Sequence, residues 1–155
     1  MGHIDLAMSK GTAKTTGKDL DNLARAPLKA ADLNFAHGTG HGVGCYLAVH
    51  EEATSISPRA DKETMKTGML VSNEPGYYKS GHYGIRIENL ILCRNDYSFE
   101  TITLCPIDQT LIIKDMLNAA QMEWLNIYHE TVKSILTPLL NTDLQDWLKE
   151  KTQPL

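Results

Sequence analysis

The sequence predicts an α/β fold of the α+β type, in which a block of antiparallel strands lies between helical segments. Apolar residues recur with a helical period before about residue 30 and again after about residue 107. Between residues 35 and 106 they alternate with polar residues, and Gly, Pro, Asn and Ser mark the turns. With 155 residues, of which 42% are hydrophobic, the chain is long enough to form a core.

Two helices are predicted ahead of the strands. Residues 3–10 have the pattern of the end of a helix, and a connector rich in Gly, Thr and Lys leads to a second helix over residues 18–30. Pro27 removes a backbone donor and is expected to kink or shorten this second helix. The apolar face of the second helix is formed by Leu20, Leu23, Ala24 and Leu28.

The strands and the C-terminal helices follow. Strand-like runs are predicted at 35–49, 69–74, 84–94 and 99–105. Asp115 is the predicted N-cap of an amphipathic helix that ends before Pro138, and Thr142 begins a capping-box pattern for a short final helix. These patterns divide the chain into a strand-containing region, 1–106, and a helical region, 107–155.

Composition argues against two classes of partner. The formal net charge is −4 and basic residues alternate with acidic ones, which argues against a nucleic-acid-binding surface. Apolar runs fall short of the roughly 20 residues that cross a bilayer, so no membrane partner is expected. Cys45, Cys93 and Cys105 show no CxxC spacing, which predicts buried, reduced thiols in a cytoplasmic protein.

The densest chemical signal is the segment HGTGHGVG, which begins at His37. Its alternating glycines make a helix improbable. In an extended segment His37 and His41 lie on one face, about 13 Å apart when fully stretched, unless a bend brings them nearer. His50 follows in the sequence VHE. One histidine alone is ordinarily structural, but three near glycines that are costly to order favour a functional site.

Two further segments carry carboxylates. Glu74 lies at the end of a strand-like run, where Pro75 interrupts the ladder, and Arg86 and Glu88 share one face of a later run. A hairpin between the runs would bring Glu74 and Glu88 together. Two carboxylates and an imidazole suit Mn, Co or Zn. The alternative is that Arg86 and Glu88 belong to a solvated strand face.

The segments HGTGHGVG…VHE, NEPGYY and GIRIEN, in this order, resemble the Xaa-Pro aminopeptidases, which are metallopeptidases with a pita-bread fold. The similarity is greatest to the eukaryotic-type, cytosolic members and covers most of the chain. It implies that residues 1–106 form the C-terminal half of the catalytic domain. It also implies that residues 107–155 form the C-terminal helical extension of that subfamily.

The resemblance implies a set of metal ligands. His41, Glu74 and Glu88 correspond to ligands of two divalent ions, with Glu88 in the bridging position. Manganese is the expected metal, and zinc and cobalt are the alternatives. Arg86 resembles an arginine that holds an aspartate ligand in place.

The resemblance also implies substrate-binding residues. His37 and His50 resemble histidines that contact the substrate at the scissile amide, and Glu74 is assigned a catalytic role beside its role as a ligand. Tyr77 and Tyr78 are expected to line the pocket. The implied reaction removes the N-terminal residue from peptides with proline in the second position.

The family pattern requires two further aspartate ligands, and the sequence offers none in a suitable strand. Its first four aspartates lie in helical or connecting segments: Asp5, Asp19, Asp21 and Asp32. The expectation is therefore a fragment with weak or partial metal occupancy, inactive alone, whose partner is the missing N-terminal half of the enzyme. An exposed sheet edge and apolar surface would also favour a homo-oligomer.

Other interpretations remain. Prolidase and methionine aminopeptidase share the ligand set, although the HGTGHGVG segment and the tail argue against both. A metal-free pita-bread module that binds peptides or proteins is an alternative of another class. A third alternative is dimerisation of the tail, Leu117 to Leu140, or packing of the same aromatic and aliphatic residues inside the fold. The candidate anchors are Trp124, Leu125, Tyr128 and Trp147.

Overall fold

The computed structural model describes the backbone of residues 1–155 and every side chain except those of residues 52 and 53. The chain divides into two compact units, residues 1–103 and residues 104–155. The assignment of 1–106 to a catalytic domain and of 107–155 to an extension stays a prediction.

Two helices begin the first unit: α1, Gly2–Ala7, and α2, Gly17–Lys29. A capping box starts α2, because the Thr16 side chain accepts from the Asp19 amide while the Asp19 carboxylate accepts the Thr16 amide at 2.8 Å. The helix continues through Pro27 for two further residues. The predicted shortening is small because a proline so near the end removes a single bond of the last turn.

Seven strands follow along the described backbone, and they pair antiparallel in two sheets. A five-stranded sheet has the order β2-β1-β3-β6-β7, and β4 pairs with β5 in a second, two-stranded sheet. The strands are β1 Gly40–Gly42, β2 Glu51–Ile56, β3 Leu70–Asn73, β4 Gly76–Lys79, β5 Tyr83–Arg86, β6 Asn89–Cys93 and β7 Phe99–Thr101. The antiparallel sheet and its helices confirm the predicted fold class.

Three predicted strands are wrong in extent, and the run 99–105 forms a strand only over β7. The run 35–49 forms a strand only over β1, because residues 44–48 close a tight turn in which the Gly44 amide donates to the Ala48 carbonyl at 2.8 Å. The unpredicted strand β2 follows that turn. The run 84–94 is interrupted between Arg86 and Asn89, so Arg86 and Glu88 do not share a strand face.

The interior of the first unit lies between the two helices and one face of the five-stranded sheet. Burying these aliphatic side chains contributes roughly 1.5–3 kcal/mol each relative to exposure. The buried cluster contains Leu6, Leu20, Ala24, Ile56, Met65, Val71, Ile91 and Cys93. Of the three cysteines, Cys93 is buried and Cys45 and Cys105 are exposed, so the prediction of buried thiols is wrong for the latter two.

The second unit contains the helices α3, Ala119–Leu136, and α4, Thr142–Lys151. Asn118 caps α3 and Asn141 caps α4, and each asparagine side chain accepts a backbone amide three residues on. The predicted caps are therefore displaced, because Asp115 lies in a preceding 3-10 turn and Thr142 is already helical.

The four candidate anchors of the tail differ in exposure. Leu125 and Tyr128 are buried, while Trp147 is 49% exposed. Trp124 stacks on Tyr128 with the ring centroids 5.3 Å apart. Among the described helices, none has both the length and the apolar character that a membrane span requires.

Candidate active site

A bent hairpin brings the two predicted glutamate ligands to the same end of the main sheet. Asn73 of β3 pairs with Asn89 of β6, and Glu74 and Glu88 are the next residues beyond that pair. The pairing resumes in the second sheet, between β4 and β5, after two residues on each side. Pro75 has no amide hydrogen to donate, so the ladder is interrupted where the glutamates lie.

His41 reaches Glu74 from the neighbouring strand β1. Its Nε2 lies 3.1 Å from Glu74 Oε1. Ser72 links the two residues, because its hydroxyl accepts the His41 amide at 3.0 Å and donates to Glu74 Oε1 at 2.9 Å. The Glu74 side chain is 11% exposed, so its carboxylate is held by these contacts with little access to water.

The hydrogen bonds of His41 indicate what the pair can bind. Its Nδ1 lies 2.9 Å from the Gly42 carbonyl, which can only accept, so Nδ1 carries a proton. In the neutral imidazole the Nε2 lone pair then faces the carboxylate oxygen of Glu74. The separation fits a hydrogen bond from a protonated Nε2 to the Glu74 oxygen, and it also fits two acceptors that share a cation, as two metal ligands would.

His50 lies beside His41. Gly42 pairs with Glu51, so the tight turn between β1 and β2 returns the chain and places His50 next to the strand that carries His41. The ring centroids of the two histidines are 4.1 Å apart. His50 is exposed, which leaves its ring open to a ligand on this face of the sheet.

His37 joins the group through Tyr78. The Tyr78 hydroxyl lies 2.7 Å from His37 Nε2 and accepts from Arg86 Nε at 2.8 Å. His37 Nδ1 lies 2.6 Å from the Gly38 carbonyl, so a neutral His37 holds its proton on Nδ1 and accepts the Tyr78 hydroxyl hydrogen at Nε2. The Tyr78 hydrogen bond, with the nearby carboxylates, holds the pKa of Arg86 above its usual range.

Arg86 connects this chain of contacts to the glutamates. Its Nη1 lies 3.3 Å from Glu74 Oε2 and 3.9 Å from Glu88 Oε2. The resemblance implied an aspartate partner for this arginine, and here its carboxylate partners are Glu74 and Glu88. The guanidinium therefore offsets the charge of two adjacent carboxylates.

Tyr77 is the predicted site residue that the structure keeps apart. Successive residues of β4 point to opposite faces, so Tyr77 points away from the face of Tyr78. Its ring lies 6.1 Å from that of Tyr83, in the same two-stranded sheet. Tyr78 contacts the His37 ring, and the pocket roles of both tyrosines stay predictions.

The donor set partly fits a divalent metal. One imidazole and two carboxylates suit a borderline ion, but Glu88 is 50% exposed, and its described contact with this group is to Arg86. Among the described side chains, no three His, Cys, Asp or Glu residues form a group that could hold an ion. Two of the upstream aspartates are engaged elsewhere, Asp19 in the cap of α2 and Asp21 with Arg25.

Sequence reasoning missed Ser72, Asp21, Arg25 and Thr39. The i,i+4 spacing of Asp21 and Arg25 on a predicted helix was a signal for an ion pair. Ser72 and Thr39 carried no such signal, because the Thr39 hydroxyl bonds to Asp21 of α2 and the Ser72 hydroxyl accepts from His41 of another strand.

Comparison with known proteins adds to this geometry. A model of metallopeptidase family M24 matches residues 3–95, and a model of the C-terminal region of peptidase_M24 matches residues 96–155. Aminopeptidase P1 of Arabidopsis thaliana is 40% identical over 167 residues, which cover 99% of this chain and 26% of that protein. Xaa-Pro aminopeptidase 1 of Dictyostelium discoideum is 37% identical over 169 residues, which cover 99% of this chain and 27% of that protein.

A solved structure is similar over nearly the whole chain. The X-prolyl aminopeptidase of Caenorhabditis elegans, described as a cytosolic enzyme with a di-nuclear active site, matches with a TM-score of 0.90 at 36% identity. The match covers 99% of this chain and 27% of that one. The chain thus spans about a quarter of the length of the relatives it matches.

Fold and comparisons together define the C-terminal part of a pita-bread fold, the fold of a class of metallopeptidases. The chain belongs to metallopeptidase family M24, and the relatives described above, which match nearly its whole length, are named aminopeptidase P or Xaa-Pro aminopeptidase. The predicted resemblance is confirmed.

Proposed function

We propose that this chain provides part of the active site of an Xaa-Pro aminopeptidase, which releases the N-terminal residue from peptides with proline in the second position. The observation that carries the proposal is the approach of His41 Nε2 to Glu74 Oε1 at 3.1 Å. The names of the relatives supply the substrate class.

His41, Glu74 and Glu88 are the proposed ligands of two divalent ions, with manganese favoured over zinc and cobalt. Such ions, when bound, polarise the scissile carbonyl and make a water molecule nucleophilic near neutral pH. The relative from Caenorhabditis elegans is described as having a di-nuclear site, which supports the number of ions. We expect weak or partial occupancy in this chain, since two aspartates of the family pattern have no counterpart.

The side chains around the proposed ligands would act on the substrate. His50, exposed beside His41, would donate a hydrogen bond to the carbonyl oxygen of the scissile amide. His37 Nε2, which accepts from the Tyr78 hydroxyl, would exchange this hydrogen bond for one to the substrate. Glu74 is the proposed acceptor of the proton that the attacking water loses.

The remaining aspartates would come from the N-terminal half of an enzyme of this type, which is the proposed partner. Residues 1–106 are then the partial catalytic domain and residues 107–155 the extension. We also propose that the protein acts in the cytoplasm, as its Caenorhabditis elegans relative is described to do, and that it associates with copies of itself.

A chimera tests the proposal. This chain replaces the matching 167-residue segment of Arabidopsis Aminopeptidase P1, and release of the first residue from an Xaa-Pro peptide is followed with added manganese. We expect turnover by the chimera and little or none by the chain alone. Glu88→Gln should abolish turnover, while Glu100→Gln, at an exposed glutamate of β7, should preserve it.

Two outcomes would count against the proposal. A chimera that is folded by circular dichroism and binds manganese but releases no residue would contradict the catalytic assignment. A folded chimera that fails to bind manganese by calorimetry would favour the metal-free binding module instead. Turnover that survives Glu88→Gln would remove Glu88 from the ligand set.

A further inference from the structure

A buried ion pair lies behind the segment that carries His37. Asp21 and Arg25 are one turn apart on α2, and they are 0% and 2% exposed. Arg25 Nε lies 2.8 Å from both oxygens of the Asp21 carboxylate. A buried pair of this kind contributes little net stability in comparison with apolar residues of the same size. The role of the pair is therefore to position the groups that Asp21 and Arg25 contact.

Arg25 holds the backbone on both sides of Ala36. Its Nη1 donates to the Phe35 carbonyl and its Nη2 donates to the His37 carbonyl, each at 2.6 Å. Its guanidinium carbon lies 3.7 Å from the centroid of the Phe35 ring, and that ring lies 4.8 Å from the His37 ring. The stack of the Arg25 guanidinium, the Phe35 ring and the His37 ring thus fixes the position of the imidazole.

Asp21 extends the same network to Glu74. Its Oδ1 accepts the Thr39 hydroxyl at 2.6 Å, and Thr39 is fully buried. The Thr39 carbonyl in turn accepts the Glu74 amide at 2.7 Å. Glu74 and His37 lie on different segments, which Tyr78 and Arg86 link on the side of the site. The pair on α2 gives a second, buried link, directly to the His37 carbonyl and through Thr39 to the Glu74 amide.

We infer that Asp21 and Arg25 are positioning residues, which set the His37 imidazole and the Glu74 carboxylate relative to each other. The inference deepens the proposed function, on which it rests for the roles of those two side chains. The planar guanidinium is required because it donates in several fixed directions at once, whereas a lysine offers a single flexible charge. Displacement of an active-site group by about 1 Å can reduce a rate about a hundredfold, so such a support affects catalysis directly.

The test follows the His37 ring and the Glu74 backbone amide in the chain without metal or peptide. The variants are Arg25→Lys and Arg25→Met, and the matched control is Arg94→Met, which removes an exposed arginine paired with Glu100. Nitrogen NMR of the His37 ring reports the Nδ1–H tautomer, and amide hydrogen exchange reports the hydrogen bond from Glu74. In both Arg25 variants we expect loss of the single tautomer and about tenfold faster Glu74 exchange, the effect of one lost hydrogen bond.

A merely structural role gives a different result. In that case the Arg25 variants unfold at lower temperature, but His37 and Glu74 signals of the folded protein match those of the parent chain, and the inference is wrong. Recovery of the tautomer in Arg25→Lys would equally contradict the need for a forked donor. Arg94→Met should leave both signals unchanged.

A third variant tests the inference if the two Arg25 variants do not fold. Thr39→Val keeps the shape of the side chain and removes one hydroxyl bond to Asp21. Faster exchange at Glu74 with an unchanged His37 tautomer is expected, and unchanged exchange would overturn the inference. These measurements do not depend on turnover, so failure of the proposed function and failure of this inference are distinguishable.

Discussion

At the scale of single residues, a buried serine organises the candidate metal ligands. Ser72 is 1% exposed, and its hydroxyl accepts from the His41 backbone and donates to the Glu74 carboxylate. The hydroxyl therefore fixes both the strand that carries one proposed ligand and the oxygen of the other. Residues that orient metal ligands in this way commonly tune metal affinity.

We expect Ser72→Ala to weaken manganese binding by roughly 10- to 100-fold, as is typical when a residue that orients a ligand is lost. Calorimetric titration with manganese measures the change. Ser55→Ala is the matched control, because Ser55 pairs with His41 across the strands but its described hydrogen bond goes to the Ser57 hydroxyl. Equal affinities of the Ser72 variant and the parent chain would show that Ser72 does not position the ligands.

At the scale of elements, the glycines of the HGTGHG segment differ in what they do. A Cβ on Gly40 would lie 1.9 Å from the Ser72 carbonyl oxygen, so β1 and β3 approach as closely as they do only because this residue is glycine. A Cβ on Gly38 would lie 3.4 Å from the Ile56 carbonyl oxygen, which is an ordinary contact.

Gly40→Ala should therefore lower the free energy of unfolding by about 2 kcal/mol or more, the usual size of a steric overlap in a packed core. Gly38→Ala, two residues away in the same motif, should change it by less than about 0.5 kcal/mol. Urea unfolding of both variants measures the difference. Similar midpoints for the two would contradict the close approach of β1 to β3.

At the scale of the whole molecule, stability should depend on a buried histidine in α1. His3 is 5% exposed, and its backbone carbonyl accepts from the Asn73 side-chain Nδ2 at 2.9 Å. Burial lowers the pKa of His3 to about 4, and the N-terminal ammonium makes a smaller contribution in the same direction. A hydrogen bond with Asn89 opposes this shift by raising the pKa. His3 is therefore neutral in the folded protein at pH values where the unfolded chain binds a proton.

The sign of the pH dependence follows. Between the unfolded pKa of His3, 6.5, and its folded pKa of about 4, the unfolded state holds more protons, so stability is lost as the pH falls through this window. The loss from His3 is up to roughly 3 kcal/mol. Burial also lowers the pKa of His129, which adds a slope of the same sign.

Urea unfolding at several pH values between 7 and 4 measures this slope. His3→Gln should flatten it, whereas His82→Gln, at an exposed histidine, should leave it as it is in the parent chain. A slope that persists in His3→Gln would assign the acid sensitivity to other groups.

The sequence by itself determined the fold class, the family and the approximate positions of the helices. These depend on hydrophobic period and on short motifs, which are local in the chain. It also placed Glu74 beside Glu88, because a hairpin relates residues at similar distances from its turn.

Tertiary structure alone decided which partners these residues have. The pairing of Ser72 with His41, of Tyr78 with His37 and of Asp21 with Thr39 joins atoms from different elements. The length of β1 and the interruption between β5 and β6 were likewise decided by strand register and by the turns around them. Long-range hydrogen bonds satisfy buried polar groups wherever the fold brings a partner, and no local pattern in the sequence specifies that partner.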